Sequence, residues 1–110
     1  MFQGVAGNYE RYMSLLSERQ KLVASNIANA DTPGYRTKDI DFEAELAHAM
    51  DGGQPAVIEP GNLPAKTDGN NVNLDREARL LAENALRFQI ATNFARSDLA
   101  NIKLAMQEVK

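Results

Sequence analysis

Apolar residues recur along the second half of the chain in alternating steps of four and three: Leu74, Ala78, Leu81, Ala85, Phe88, Thr92, Ala95, Leu99, Ile102, Met106 and Val109. Thr92 alone interrupts the pattern, which is the 3.5-residue repeat of a helix packed lengthwise on other helices. The spacing predicts a helix over 74–110, roughly 54 Å long at 1.5 Å per residue. Leu80, Leu86, Ile90 and Phe94 widen the stripe, so more than one neighbouring helix is needed to cover it. The helix start is also marked. Asn73 suits an N-cap, and Asp75 and Glu77 place negative charge in the first turn, where the helix dipole favours it.

A weaker stripe runs through the first half, with Tyr9, Met13, Leu16, Gln20, Val23, Ile27 and Ala30 again four and three apart. Tyr12, Leu15 and Leu22 broaden it. A helix over about 8–30 is expected, ended by Thr32-Pro33-Gly34-Tyr35. Pro33 cannot sit in a helix interior and biases Thr32 to an extended backbone. Pro-Gly at the centre of four residues favours a type II turn, because Gly34 takes a positive φ without steric cost. Asn26, Asn29 and Asp31 are placed to bond the last carbonyls of the helix or the amides of the turn.

The middle is less regular. "DIDFEAELAHAMDGG" reads as a short helix capped by Asp41, with Phe42, Leu46 and Met50 on one face and Gly52-Gly53 stopping it. "QPAVIEPGNLPAKTDGNN" carries three prolines and reads as a loop with at most a short strand at Ala56–Glu59. The reading is therefore one mainly α domain over 1–110. Two long terminal helices pair antiparallel in coiled-coil fashion, joined by the turn, short helix and loop of 31–73.

Composition narrows the chemistry. A formal net charge of −3 gives no broad attraction to nucleic acid or anionic lipid, and the absence of cysteine removes disulfides, thiolate catalysis and cysteine-ligated metals. The N-terminus shows no basic region followed by an apolar one, so no cleavable signal peptide is expected. No apolar run approaches the roughly 20 residues of a membrane span. His48, the one histidine, lies near Glu45 and reads as a surface residue rather than a general base. Asp68-Gly69-Asn70 opens like a calcium loop, but Arg79 stands where the closing glutamate would fall, leaving a polar turn that leads into a helix cap. No phosphate cradle, nucleophile elbow or histidine pair occurs, so no catalytic, metal or cofactor site and no small-molecule substrate is expected. Arg76, Arg79, Arg87 and Arg96 are scattered among acids and read as solvated or inter-subunit charges.

Two architectures fit these observations: a subunit whose paired terminal helices pack against copies or relatives, and a monomeric adaptor whose helical hairpin holds one partner. A first helix of roughly 35 Å against a second of roughly 54 Å would leave much of the longer stripe wet, which favours the assembling subunit.

"SNIANADTPGYR", Ser25 to Arg36, resembles the N-terminal signature of bacterial flagellar axial proteins, the rod and hook family. In that family Asn-Ile-Ala-Asn, a Thr-Pro-Gly turn and an aromatic residue follow a first helix. The flanking segments, the entry "TDGNNVNLDREARLLAENALRFQIATNF" and the small middle are most similar to its proximal rod subunits. Of the two proximal types these features favour one, and the other is the nearest alternative. The resemblance implies a non-enzymatic structural subunit that links the membrane-embedded base and export gate to the distal rod and hook. Its partners would be other rod subunits and basal-body proteins. It also implies export through the flagellar type III channel into a rod that spans the periplasm. Assembly contacts are then expected at Leu16, Val23, Ile27, Asn29, Pro33, Gly34, Tyr35 and Phe42, and at Leu81, Phe88, Leu99, Ile102 and Met106. The quoted turn and Tyr35–Phe42 would lie against a neighbour.

Overall fold

A computed structural model of the chain describes residues 2–48 and 54–108. Helix α1 (Phe2–Ala28) is followed by strand β1 (Asp39–Ile40), helix α2 (Phe42–Ala47), strand β2 (Val57–Ile58) and helix α3 (Leu74–Glu108). The molecule measures 69 × 25 × 18 Å, the proportions of a two-helix hairpin with a small cap packed on one side. Met50, the Gly52-Gly53 stop and Val109 lie outside the described residues.

Helix α1 begins six residues earlier than the apolar pattern indicates. Gly4 and Gly7 each cost about 1 kcal/mol relative to alanine, yet neither removes a backbone donor, so the ladder continues through them. At its other end α1 tightens before it stops. The Asn29 amide donates to Ser25 O and Asn26 O, at 3.0 and 3.2 Å, and the Ala30 amide to Ile27 O at 3.2 Å. The longer first helix weakens the length argument for assembly. With 27 residues against 35, the two helices run roughly 40 and 52 Å and nearly match.

Antiparallel pairing of α1 with α3 follows from three side-chain ties: Asn26 to Glu77, Gln20 to Asn84, and Tyr9 to Asp98. On α1 the buried face includes Leu16 and Val23, as the stripe indicates. On α3 the face toward α1 is not the heptad track. Glu77, Leu80, Asn84 and Ala91 are buried there, while Leu81, Phe88, Leu99 and Met106 are 40, 46, 50 and 69% exposed. The seam lies to one side of the apolar track because polar residues occupy it. A hydropathy pattern passes over them, although their partners on α1 make them compatible with burial.

The apolar core sits midway along α1. Leu15 and Leu16 of α1 meet Ile40 and Phe42, with Tyr12 and Leu22 packed around them. The Tyr12 ring meets Phe42 edge-on at 5.5 Å, and the guanidinium groups of Arg19 and Arg87 lie 5.8 and 5.4 Å from the Phe42 ring centre. That arrangement suits the negative faces and positive edge of an aromatic ring. Ile40 and Phe42 thus pack within their own chain. Asp41 caps α2 by accepting from the Ala44 amide at 3.3 Å. The short strand expected near Ala56–Glu59 is β2, which pairs antiparallel with β1 in the register Asp39 to Ile58 and Ile40 to Val57.

This division of faces generates a contrast. In the isolated chain Leu16→Ala removes a buried side chain and is expected to cost about 2–5 kcal/mol. Leu99→Ala, on an exposed face, should stay within about 0.5 kcal/mol. Urea unfolding of both variants followed by circular dichroism measures the difference.

Candidate assembly interface

The end of α1 sets the local problem. The last carbonyls of a helix have no partner within it, and here the chain turns back over them instead of leaving them in water. Thr32-Pro33-Gly34-Tyr35 forms the expected type II turn: the Tyr35 amide donates to Thr32 O at 3.2 Å, and Gly34 has φ +75°. A Cβ at Gly34 would come no nearer than 4.0 Å, to Asp68 O, so the backbone angle and not space demands glycine. Gly69, at φ +88°, lies against it; a Cβ there would be 3.5 Å from the Gly34 Cα. The turn after α1 and the turn before α3 therefore pack backbone to backbone.

Three asparagines then close the two segments on each other. Asn26 is fully buried, and all four of its hydrogen-bonding positions are used. Its Nδ2 donates to Lys38 O at 2.8 Å and to Glu77 Oε1 at 2.7 Å. Its Oδ1 accepts from the Lys38 amide at 3.0 Å and the Tyr35 hydroxyl at 3.1 Å. Asn70 donates to Asn29 O and Thr32 O, at 2.9 and 2.8 Å, and the Lys66 ammonium donates to Ala30 O at 2.9 Å. These bonds bring the segment before α3 onto the carbonyls of the turn that follows α1, of which Asn29 O and Thr32 O also accept the Thr32 and Tyr35 amides. Asn71 Oδ1 accepts the Thr37 amide at 2.6 Å, and the Thr37 hydroxyl donates to Asn71 O at 3.1 Å.

Charge completes this latch. Arg19 grips both oxygens of Asp39 at 3.0 and 3.1 Å. Arg76 reaches Asp39 Oδ2 at 2.6 Å and Glu77 Oε2 at 2.7 Å, so one guanidinium bridges two buried carboxylates. Burial alone would push the Asp39 carboxyl upward, but hydrogen bonds from Arg19, the Ile40 amide and Arg76 outweigh it and hold the group below the usual carboxylate range. Arg76 is thus a structural bridge, not a solvated charge. Arg87, beside the Phe42 ring and bonded to Glu83 at 2.8 Å, is likewise committed within the chain. Asn73 caps α3 as expected, accepting from the Arg76 amide at 3.1 Å.

A model of the family described as flagella basal body rod protein matches residues 13–36, the stretch from the buried face of α1 through the turn. The flagellar basal body rod protein FlgB of Proteus mirabilis (strain HI4320) is 33% identical over 87% of this chain and 88% of its own length. That of Escherichia coli (strain K12) is 35% identical over 72 and 75%, and that of Salmonella typhimurium (strain LT2) 32% over 86 and 87%. The chain belongs to the FlgB family of flagellar basal body rod proteins.

In this FlgB-family chain the residues expected at assembly contacts fall into three groups. Leu16, Val23 and Phe42 are buried inside the subunit. Asn29 and Tyr35 are half-buried and bonded locally, Asn29 Nδ2 to Ser25 O at 2.8 Å and the Tyr35 hydroxyl to Asn26, while Pro33 and Gly34 are exposed at the turn. Ile27, Leu81, Phe88, Leu99 and Met106 are exposed and Ile102 is half-buried. An open groove lined by Leu16, Ser17, Ala24, Ala85 and Phe88 runs along the hairpin beside this exposed track. The latch residues Asp39, Asn70, Asn71, Arg76 and Glu77 are absent from the sequence-derived set. The signal for those near α3 is the paired asparagines one residue before the Asn73 cap, followed by an arginine and an acid in the first turn. Among the described residues no helix is long and apolar enough to cross a membrane.

Two measurements probe the latch. A carboxyl with a lowered folded pKa contributes stability that is present above its unfolded value, about 3.9, and is lost as pH falls through the folded value beneath it. Thermal melts should therefore show an acid-side loss that Asp39→Asn removes, and Asp39→Asn should cost about 3–5 kcal/mol at neutral pH by taking from Arg19 its carboxylate partner and leaving Arg76 with Glu77 alone. Gly34→Val forces a branched side chain to positive φ and should cost about 1–3 kcal/mol, with Gly34→Asn costing less.

Proposed function

We propose that this chain is a structural subunit of the proximal rod of the bacterial flagellar basal body. In this reading it joins the membrane-embedded base and export gate to the distal rod, and travels through the flagellar type III channel. The observation that carries the reading is the uncovered apolar surface of α3. Leu81, Phe88, Leu99 and Met106 lie on one flank, Ile90 and Phe94 on the other, and Leu86 and Leu104 on the outer face, all exposed in the single chain. A helix that carries large apolar side chains on both flanks and its outer face suits a larger packing of helices, and exposed apolar side chains in this number mark protein contact. The names of the relatives supply the assembly: each is a flagellar basal body rod protein.

The latch supports the same reading. It holds the turn that joins the two long helices in one geometry through bonds within the chain, so the segments before and after the turn are already set in a single subunit. The partners in this reading are other rod subunits and basal-body proteins, reached through the side faces of the hairpin.

The test uses a flagellated host. Phe88→Ala and Leu99→Ala, each nearly neutral in the isolated chain, should be expressed yet give few or no complete basal bodies by electron microscopy, with motility lost. Normal basal bodies in both would show that this face makes no required contact. In a host lacking the flagellar export apparatus the wild-type chain should remain in the cytoplasm, and its recovery outside would overturn the export route.

A further inference from the structure

The three ties across the hairpin share a spacing. Glu77, Asn84 and Asp98 occupy one heptad position of α3, seven residues apart with Ala91 filling the remaining step. Their partners descend α1 in order: Asn26 at 2.7 Å from Glu77, Gln20 at 3.3 Å from Asn84, and Tyr9 at 2.7 Å from Asp98. Gln20 is the one hydrogen-bonding amide in the α1 stripe, and it meets Asn84, a buried amide in the facing seam. We infer that this polar ladder, and the Gln20–Asn84 pair above all, is a register key. It fixes which turn of α1 faces which turn of α3, at a cost in stability.

The pair is poorly made for stability. The 3.3 Å bond is long, and Asn84 Oδ1 is buried with no partner among the described residues. A buried acceptor without a donor is unfavourable, and two apolar side chains would fill the same space without that cost. Such a pair discriminates instead. If α3 slips by one heptad, Asn84 comes opposite Met13 in one direction or Ile27 in the other, Glu77 leaves Asn26, and Asp98 leaves Tyr9. Every polar group of the ladder then loses its partner at once. The apolar positions carry no comparable signal, because both stripes repeat every seven residues and a slipped pairing meets leucines and alanines again. A single buried asparagine fixing the register of a coiled coil is the established precedent for this use of an amide.

The key matters here because α3 offers apolar side chains in all directions. Away from the latch the apolar faces alone would admit several near-equivalent pairings, each shifting the exposed track by about 10 Å along the axis.

The experiment measures register directly. The chain has no cysteine, so Glu10→Cys and Ser97→Cys, both at exposed positions near the Tyr9–Asp98 tie, accept spin labels uniquely. Double electron–electron resonance on the otherwise native full chain should give one distance. With Gln20→Leu and Asn84→Leu added, a second population displaced by about one heptad should appear, at an unchanged or higher melting temperature. The exchanged pair, Gln20→Asn with Asn84→Gln, should restore a single distance. One unchanged distance in the leucine variant would overturn the proposal and assign the register to the latch alone. Unfolding of the leucine variant would overturn it too, since the pair would then be a stability element. A second population in the exchanged pair would show that the presence of two amides is not what sets the register.

Discussion

The Asn26 side chain is the point on which the fold depends. A buried primary amide can make four hydrogen bonds, and this one makes all four, to three different parts of the chain: the strand entry at Lys38, the aromatic Tyr35 and the first turn of α3 through Glu77. Glu77 in turn is held by Arg76, which holds Asp39, which is held by Arg19 back on α1. The circuit closes on the helix where it began. Each link lost leaves a buried polar group unsatisfied, at about 1–3 kcal/mol, so the members stand or fall together.

This concentration of bonds makes the hairpin unequal along its length. At one end are the latch and the two back-to-back glycines, and the Phe42 core lies midway along α1. Toward the other end α1 and α3 are tied by Tyr9 and Asp98, and much of α3 there faces solvent. Local opening follows the density of buried contacts, so the latch end is the last part of the subunit to open and the free end the first.

Much of this could be read from the sequence, and the part that could not has one cause. Local signals were sound where the physics is local: Asn73 and Asp41 as caps, Pro33-Gly34 as a type II turn, a strand within 56–59, and long helices at both ends. The face that α3 turns toward α1 was not legible. Hydropathy counts Glu77 and Asn84 as outward-facing, yet both are buried because Asn26 and Gln20 lie opposite, 51 and 64 residues away in sequence. Arg76 was misread for the same reason, its partner Asp39 being 37 residues distant. For the candidate contact residues the apolar pattern marks large side chains by spacing alone. It could not tell Leu16 and Val23, which the subunit buries itself, from Leu81, Phe88 and Leu99, which it does not.

The small cap has a consequence for symmetry. Helix α2 and the Phe42 ring press against Arg87 on one flank of the hairpin, while the other flank is the open groove between Ala24 and Ala85. The two flanks are unlike, so a contact that seats one against the other joins different surfaces of the two molecules. No twofold axis relates copies joined in that way. Such a contact either closes into a ring or climbs as a helix, according to the rotation each step imposes. A few degrees in the way the cap sits on the hairpin would separate the two outcomes.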